Sequence, residues 1–471
     1  MTNDSTKLAS LAIRGGVVVN SDWSGQATVL VDDGRIHSLL SPNEQIPSWI
    51  DRIIDAEGKL VIPGGVDPHC HVNVSVGEFS TRDDYTTTSI AALYGGTTTI
   101  VDFAIPAKGQ RPLDAVSERH EMARDSRCSV ALHGCIVDWD ETMPDQLDQM
   151  AASGVRTIKL FTTYKEDMMA EPETIHNVMR ELRRLGGLAY VHAEADHLVR
   201  SAQDQQAQID NIAPRDHALT RPPLTESVAV AQVLAIAETL KAPVYFVHLT
   251  TPESVGLVRE ARRRGVAAYS ETCPHYLLLD ESSYAGLHPE HFVCCPPLRS
   301  PEDVAALREL AVAGIIDTIG SDNCCYDSEQ KSSYPNDTRK TPSGMPGVET
   351  RMPLLYSELV NSGGMSPESF VSLTSTNPAR LNGIYPRKGV LMPGSDADVV
   401  LFDPHLERTI DSAADLHMPT DWTPFASMTV RGWPTTVVTK GRVVLDDGIF
   451  NDPGPTGELV GAEPLPDRFV C

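Results

Sequence analysis

Eight short β-rich runs alternate with helix-length segments between residues 61 and 385, and turn-punctuated strands without helices occupy both ends of the chain. These two observations predict an α/β protein: a (β/α)8 TIM barrel with a small β-sandwich domain formed by both chain ends. A third agrees with them. Residues suited to metal binding and acid–base work recur at the ends of the predicted strands, where such barrels carry their sites. The expected division is 1–60 for the first part of the sandwich, 61–385 for the barrel, and 386–471 for the second part of the sandwich and a C-terminal tail. An open doubly wound sheet is the competing arrangement, but no Gly-x-Gly-x-x-Gly supports it.

The elements follow in order. From about residue 8 to 60 the runs Leu11–Arg14, Gly16–Val19, Ala27–Val31 and Arg35–Leu39 read as strands, separated by turns such as Asp32-Asp33-Gly34. The barrel strands are expected at Leu60–Pro63, running toward His69-Cys70-His71, then at Thr97–Phe103, Ser129–Val137, Thr157–Phe161, Leu188–His192, Val244–His248, Val266–Glu271 and Thr318–Ser321. Helices are expected at Arg82–Tyr94, Leu113–Arg124, Glu173–Leu185, Thr225–Thr239 and Pro252–Arg264. In the third of these, Ile175, Val178, Met179, Leu182 and Leu185 fall on one face. Beyond residue 385, strands return at Asp398–Phe402, Ser427–Val430 and Thr436–Thr439. A hairpin-like stretch follows at Lys440–Gly448, and the segment from 450 onward, rich in Pro and Gly, reads as extended.

Composition narrows the function classes. Apolar residues make up 41% of the 471, enough for a substantial core, and 39 Lys+Arg against 64 Asp+Glu give a formal charge of −25. That balance argues against nucleic acid and anionic membranes as partners, since both need a basic surface. Nine cysteines, an odd number without Cys-x-x-Cys spacing, suggest neither a disulfide framework nor a zinc ribbon. No leader-like N-terminus and no membrane-span-length run is apparent. The expectation is a reduced, cytoplasmic protein.

The candidate site assembles from strand ends. Residues i and i+2 of a strand face the same side, so His69 and His71 can offer two imidazoles to one point. Lys159 lies within an apolar strand; His192, His248 and Asp322 end later ones. Singly, each has a plain structural reading: a hydrogen-bonded histidine, a lysine reaching toward the barrel mouth, an aspartate capping a helix. Jointly, four His, one Lys and one Asp at the strand ends of one barrel point to divalent metal, for which imidazole and carboxylate are suitable ligands. Lys159 fits that reading poorly as an ammonium, which ordinarily titrates near about 10, cannot ligate a metal and is costly in an apolar strand.

Several stretches in order resemble the amidohydrolase superfamily, and within it the hydantoinase and dihydropyrimidinase group of cyclic-amide hydrolases. They are Pro63–His71, Lys159–Tyr164, Val191–Glu194, Glu271–Leu277, Pro296–Arg299, Gly320–Asp322, and Pro386–Gly389 with Gly394–Asp398. The resemblance implies a carbamate on Lys159 (N6-carboxylysine), formed with carbon dioxide and bridging two divalent ions, with zinc expected. It implies that His69, His71, Lys159 and Asp322 hold one ion, and Lys159, His192 and His248 the other. A hydroxide shared by the ions would attack the carbonyl of a small-molecule cyclic amide. Asp322 would shuttle the proton to the leaving nitrogen, and Tyr164 would donate to the oxyanion. Cys295 and Ser343 match positions that hold the ring amide, largely through main-chain groups, and a homotetramer is the implied assembly.

Three departures from the group stand out: Cys295 for Ser, Ser343 for Asn, and Asn323 for the His that often follows the metal-binding Asp. Asn73, two residues after the His pair, is not the Arg of dihydroorotases and looks more like allantoinases. Tyr164 follows the hydantoinase and dihydropyrimidinase pattern and carries a chemical role, so that reading ranks first. Allantoinase or another cyclic-imide hydrolase comes next, and a non-catalytic assembly homologue last, since every ligand position is filled. Glu194 and His275 are expected to support the site without reacting.

Overall fold

The computed structural model describes residues 8–209, 211–411, 413–455 and 458–466. Residues 1–7 and 467–471, at the outer limits of the expected sandwich and tail, lie outside these. At the centre are eight parallel strands: β1 (Gly65–Cys70), β2 (Thr97–Ala104), β3 (Ser129–Cys135), β4 (Thr157–Phe161), β5 (Leu188–His192), β6 (Val244–Phe246), β7 (Ala268–Thr272) and β8 (Thr318–Ile319). Each pairs with the next in sequence order. The ring closes where Asp322 N–H donates to His69 O (2.9 Å) and His71 N–H to Asn323 O (3.0 Å). Gly320 is required at this seam, because a Cβ there would come within 2.8 Å of the His69 Cβ. β1 through β5 are buried along their whole length, which is why they read as apolar runs without alternation.

Helices cover the outside. Pro172–Leu185 buries Thr174, Ile175, Val178, Met179 and Leu182 and stops at Gly186, whose φ of 64° is left-handed. The other expected helices form within a few residues of their expected ends, as Tyr85–Tyr94, Pro112–Met122, Pro223–Leu240 and Pro252–Arg263. Met143–Ala152 and Pro301–Val312 add to them.

Two further sheets pack together. A four-stranded sheet holds Arg35–Leu40, Thr28–Asp32, Leu11–Arg14 and Arg52–Asp55. A seven-stranded one holds Ile449–Phe450, Arg442–Asp446, Met428–Thr439, Val399–Ile410, Leu60–Pro63, Val17–Val19 and Ser24–Gln26. Leu11, Ile13, Val29 and Val31 from the first share a core with Val18, Val61, Val399, Leu401 and Val438 from the second.

One expected barrel strand is therefore displaced. Leu60–Pro63 pairs antiparallel with Val399–Phe402 and parallel with Val17–Val18, and the barrel starts at Gly65. Gly64 N–H donates to Asp398 O (2.9 Å) and Gly65 N–H to Gly96 O (2.9 Å), so the chain changes sheets at this dipeptide. A Cβ on Gly64 would lie 2.0 Å from Thr98 Oγ1, so only glycine lets the crossing pass. An apolar run shows that a strand is buried, not which sheet buries it. Likewise Ser427–Val430 and Thr436–Thr439 are parts of one long strand, Met428–Thr439, kept continuous through Gly432 at φ 108°.

Candidate metal centre at the barrel mouth

His69 and His71 leave the end of β1 on one side, as strand alternation requires, and meet Asp322 just beyond β8. The Asp322 Oδ1 lies 3.2 Å from His69 Nε2 and 3.3 Å from His71 Nε2. One ligand atom from each of the three falls within 4.8 Å of the others. From β5 and from just past β6, the His192 and His248 rings approach to 4.6 Å between centroids, and His69 and His248 to 5.3 Å. Lys159, on β4, is 1% exposed. Its Nζ lies 4.7 Å from the centroid of Phe103 and 5.1 Å from that of Phe161. The six residues expected to form the site thus converge on one buried region.

The donor set suits divalent metal. Burial and the neighbouring Lys159 hold His69 well below the ordinary imidazole range; burial, His192 and Lys159 do the same for His248. Imidazole must be neutral to ligate, and burial favours that form in both. Burial works against the Asp322 carboxylate, but the neighbouring His69, the hydrogen bond with His71, and His248 hold it well below the ordinary carboxylate range. His69 Nε2 and His248 Nδ1 are buried without hydrogen-bond partners, a condition that proteins seldom leave uncompensated. Burial also pushes the Lys159 amine down to about 8, so a neutral amine is accessible near neutral pH.

Behind these six side chains lies a second set of contacts. Glu271 on β7 receives His69 Nδ1 at 2.7 Å through Oε1, the His248 backbone N–H at 3.0 Å, and the Tyr245 hydroxyl at 2.7 Å through Oε2. It fixes the His69 ring with Nε2 toward the mouth. Burial raises the Glu271 carboxyl to about 8. Glu194, read as a supporting residue, contacts His192 Nε2 at 2.8 Å, which leaves Nδ1 facing the site. Burial would raise Glu194, but Arg221 at 2.5 Å and His192 hold it at about 2. His275 is buried and pushed down to about 4, with Nε2 unpartnered, and makes no contact that assigns it a role. The sequence signal for Glu271 is the one that exposed Lys159: a charged residue inside a buried strand. Glu271→Gln is expected to weaken metal retention or turnover by about 10- to 100-fold, the usual effect of removing such a partner. Unchanged metal content and turnover would reduce Glu271 to a packing role.

At the rim, Tyr164 stands 5.5 Å from the His192 ring, with the Arg221 guanidinium 5.1 Å from its own. Burial, then Cys295, raises its phenol well above the ordinary range, so it stays protonated as a donor. Cys295 Sγ and Ser343 Oγ are 3.3 Å apart, bringing these two expected substrate-binding positions together. Asn323 turns inward: its Oδ1 accepts the N–H groups of Gly347 (3.0 Å) and Val348 (3.3 Å). Asn73, Tyr164, His248 and Asp322 all have left-handed backbone (φ 46°, 67°, 40° and 48°). Such conformations are unfavourable without glycine and gather at functional sites.

Comparison with known proteins agrees with this geometry. Residues 60–444 match the Amidohydrolase family. The rat (Rattus norvegicus) dihydropyrimidinase is 35% identical over 465 residues, covering 97% of this chain and 89% of the relative. The D-hydantoinase of Ralstonia pickettii is 35% identical over 447 residues, covering 93% and 96%. Among solved structures, dihydropyrimidinase from Brevibacillus agri superposes with a TM-score of 0.94 at 34% identity, over 97% of this chain and 99% of that one. L-hydantoinase from Arthrobacter aurescens gives 0.88 at 27% identity, over 96% and 100%. The chain belongs to the amidohydrolase family, on its hydantoinase and dihydropyrimidinase branch.

Proposed function

We propose that this protein opens a cyclic amide, a hydantoin or dihydropyrimidine ring, by hydrolysis at a two-metal site held on a carboxylated lysine. The observation that carries the reading is the convergence of His69, His71, Asp322, His192 and His248 around the buried Lys159, with Tyr164 at the rim. The neutral Lys159 amine would add to carbon dioxide and give up a proton to solvent, forming a carbamate anion with two oxygens where a buried cation would otherwise stand. His69, His71 and Asp322 would hold one ion, His192 and His248 the other, and the Lys159 carbamate would serve both. Zinc suits these donors. When bound, the ions supply a nucleophilic water at neutral pH and polarise the scissile carbonyl.

The side chains do the rest. Asp322 accepts the proton of the attacking water on its carboxylate and returns it to the ring nitrogen as the C–N bond breaks. Tyr164 donates its hydroxyl proton in a hydrogen bond to the carbonyl oxygen as that oxygen gains charge. Main-chain groups at Cys295 and Ser343 hold the ring amide against the metal side. Among the described residues no helix is long and apolar enough to cross a membrane. A homotetramer is the assembly proposed from the resemblance.

Tyr164→Phe is expected to lower kcat about 100-fold with metal content intact, as loss of an oxyanion donor does; loss of metal as well would make Tyr164 structural. Asn73 favoured allantoinase, but its left-handed backbone accounts for an asparagine without any substrate contact. The test is a panel of dihydrouracil, 5-substituted hydantoins and allantoin on enzyme reconstituted with zinc and bicarbonate. Faster turnover of the first two supports this reading, and preference for allantoin overturns it.

A further inference from the structure

Lys331 is fully buried, and nothing in the chemistry above uses it. It sits on the short helix Ser328–Ser332, and its Nζ donates to three main-chain carbonyls: Val293 (2.7 Å), Pro342 (2.9 Å) and Gly344 (3.0 Å). An ammonium has three donors, and all three are spent on neutral acceptors. Burial pushes the amine down to about 7. The Trp422 ring lies 5.8 Å from Nζ, and its indole N–H donates to Tyr326 O at 2.8 Å, closing over the same corner.

The three carbonyls are not scattered. Val293 lies two residues before Cys295, and Pro342 and Gly344 flank Ser343. Gly344 N–H also donates to Val293 O at 3.0 Å. The carbonyls on both sides of Ser343 are thus held on Lys331, and the Ser343 hydroxyl itself meets the Cys295 thiol at 3.3 Å. The loop is also pressed against the segment that follows Asp322: a Cβ on Gly344 would lie 2.4 Å from the Cβ of Cys324, two residues past that aspartate.

We infer that Lys331 is the positioning residue of the substrate clamp, tying the Cys295 and Ser343 segments together from behind so that their main-chain groups face the ring amide at a fixed distance from the metal ligands. The inference rests on the cyclic-amide reading. It places substrate affinity under a side chain that touches neither substrate nor metal.

The test compares wild type, Lys331→Met and Lys331→Gln, each intact and loaded with zinc and bicarbonate. Metal per chain, kcat and KM for dihydrouracil, and hydrogen exchange at the Gly344 amide are measured. Met removes every donor; Gln keeps two. The expected result is unchanged metal content, a KM raised at least about tenfold in Met with a smaller change in kcat, partial recovery in Gln, and faster exchange at Gly344. An unchanged KM in a folded variant overturns the inference. So does a fall in metal content and kcat with KM untouched, which would mark a general packing role. If Met does not fold, Gln and Lys331→Arg carry the same comparison. Failure of wild type to open any ring would sink the cyclic-amide reading instead, while exchange at Gly344 still reports whether Lys331 holds the loop.

Discussion

Lys159→Ala is expected to leave a folded barrel that neither retains a pair of metal ions nor opens a cyclic amide. The side chain is 1% exposed, on a strand paired along both edges, so the backbone has independent support. What disappears is the one group placed to serve both halves of the ligand set. Loss of metal assistance removes several kcal/mol of transition-state stabilisation, and turnover should fall by more than about a thousandfold. Because the proposed bridging carbamate is a small carboxylate-like anion, acetate or propionate should restore part of the activity. Metal analysis and turnover, with and without added carboxylate, check this. Undiminished turnover in the variant would remove the carbamate from the account.

Asp322→Asn carries the other large effect. The substitution keeps the shape and one oxygen near His69 and His71 but removes the negative charge that those imidazoles favour. It also removes the only carboxylate among the expected side-chain ligands, and with it the proposed proton carrier. Loss of a general acid–base group typically slows reaction by about 100- to 10,000-fold. The expected outcome is a kcat lower by that range in enzyme that still binds metal. A kcat within a fewfold of wild type would require another base.

Much of this was legible in the chain because the barrel strands are buried on both faces, so their polar residues stand out. Thr157–Phe161 and Leu188–His192 form as the sequence predicts, and Lys159 and His192 are conspicuous within them. The sheet change at Gly64-Gly65 was not legible, because an apolar strand carries no mark of its neighbours. Nor were the contacts of Arg221 and Lys331: both are ordinary charged residues in sequence, and Arg221 meets Glu194 27 residues away while Lys331 meets carbonyls 11 to 38 residues away. Asn73 shows the converse. Its identity looked like a substrate signal, yet its backbone angle explains it. The departures Cys295 and Ser343, far apart in sequence, meet each other at the rim.

The most direct measurement is metal content and dihydrouracil turnover on one preparation, before and after chelation, then after zinc and bicarbonate are returned. Two ions per chain at full activity, loss of both with the chelator, and recovery only when both additions are made are the expected results. Full turnover at no metal, or a fully loaded enzyme that opens no cyclic amide, would contradict the proposed function.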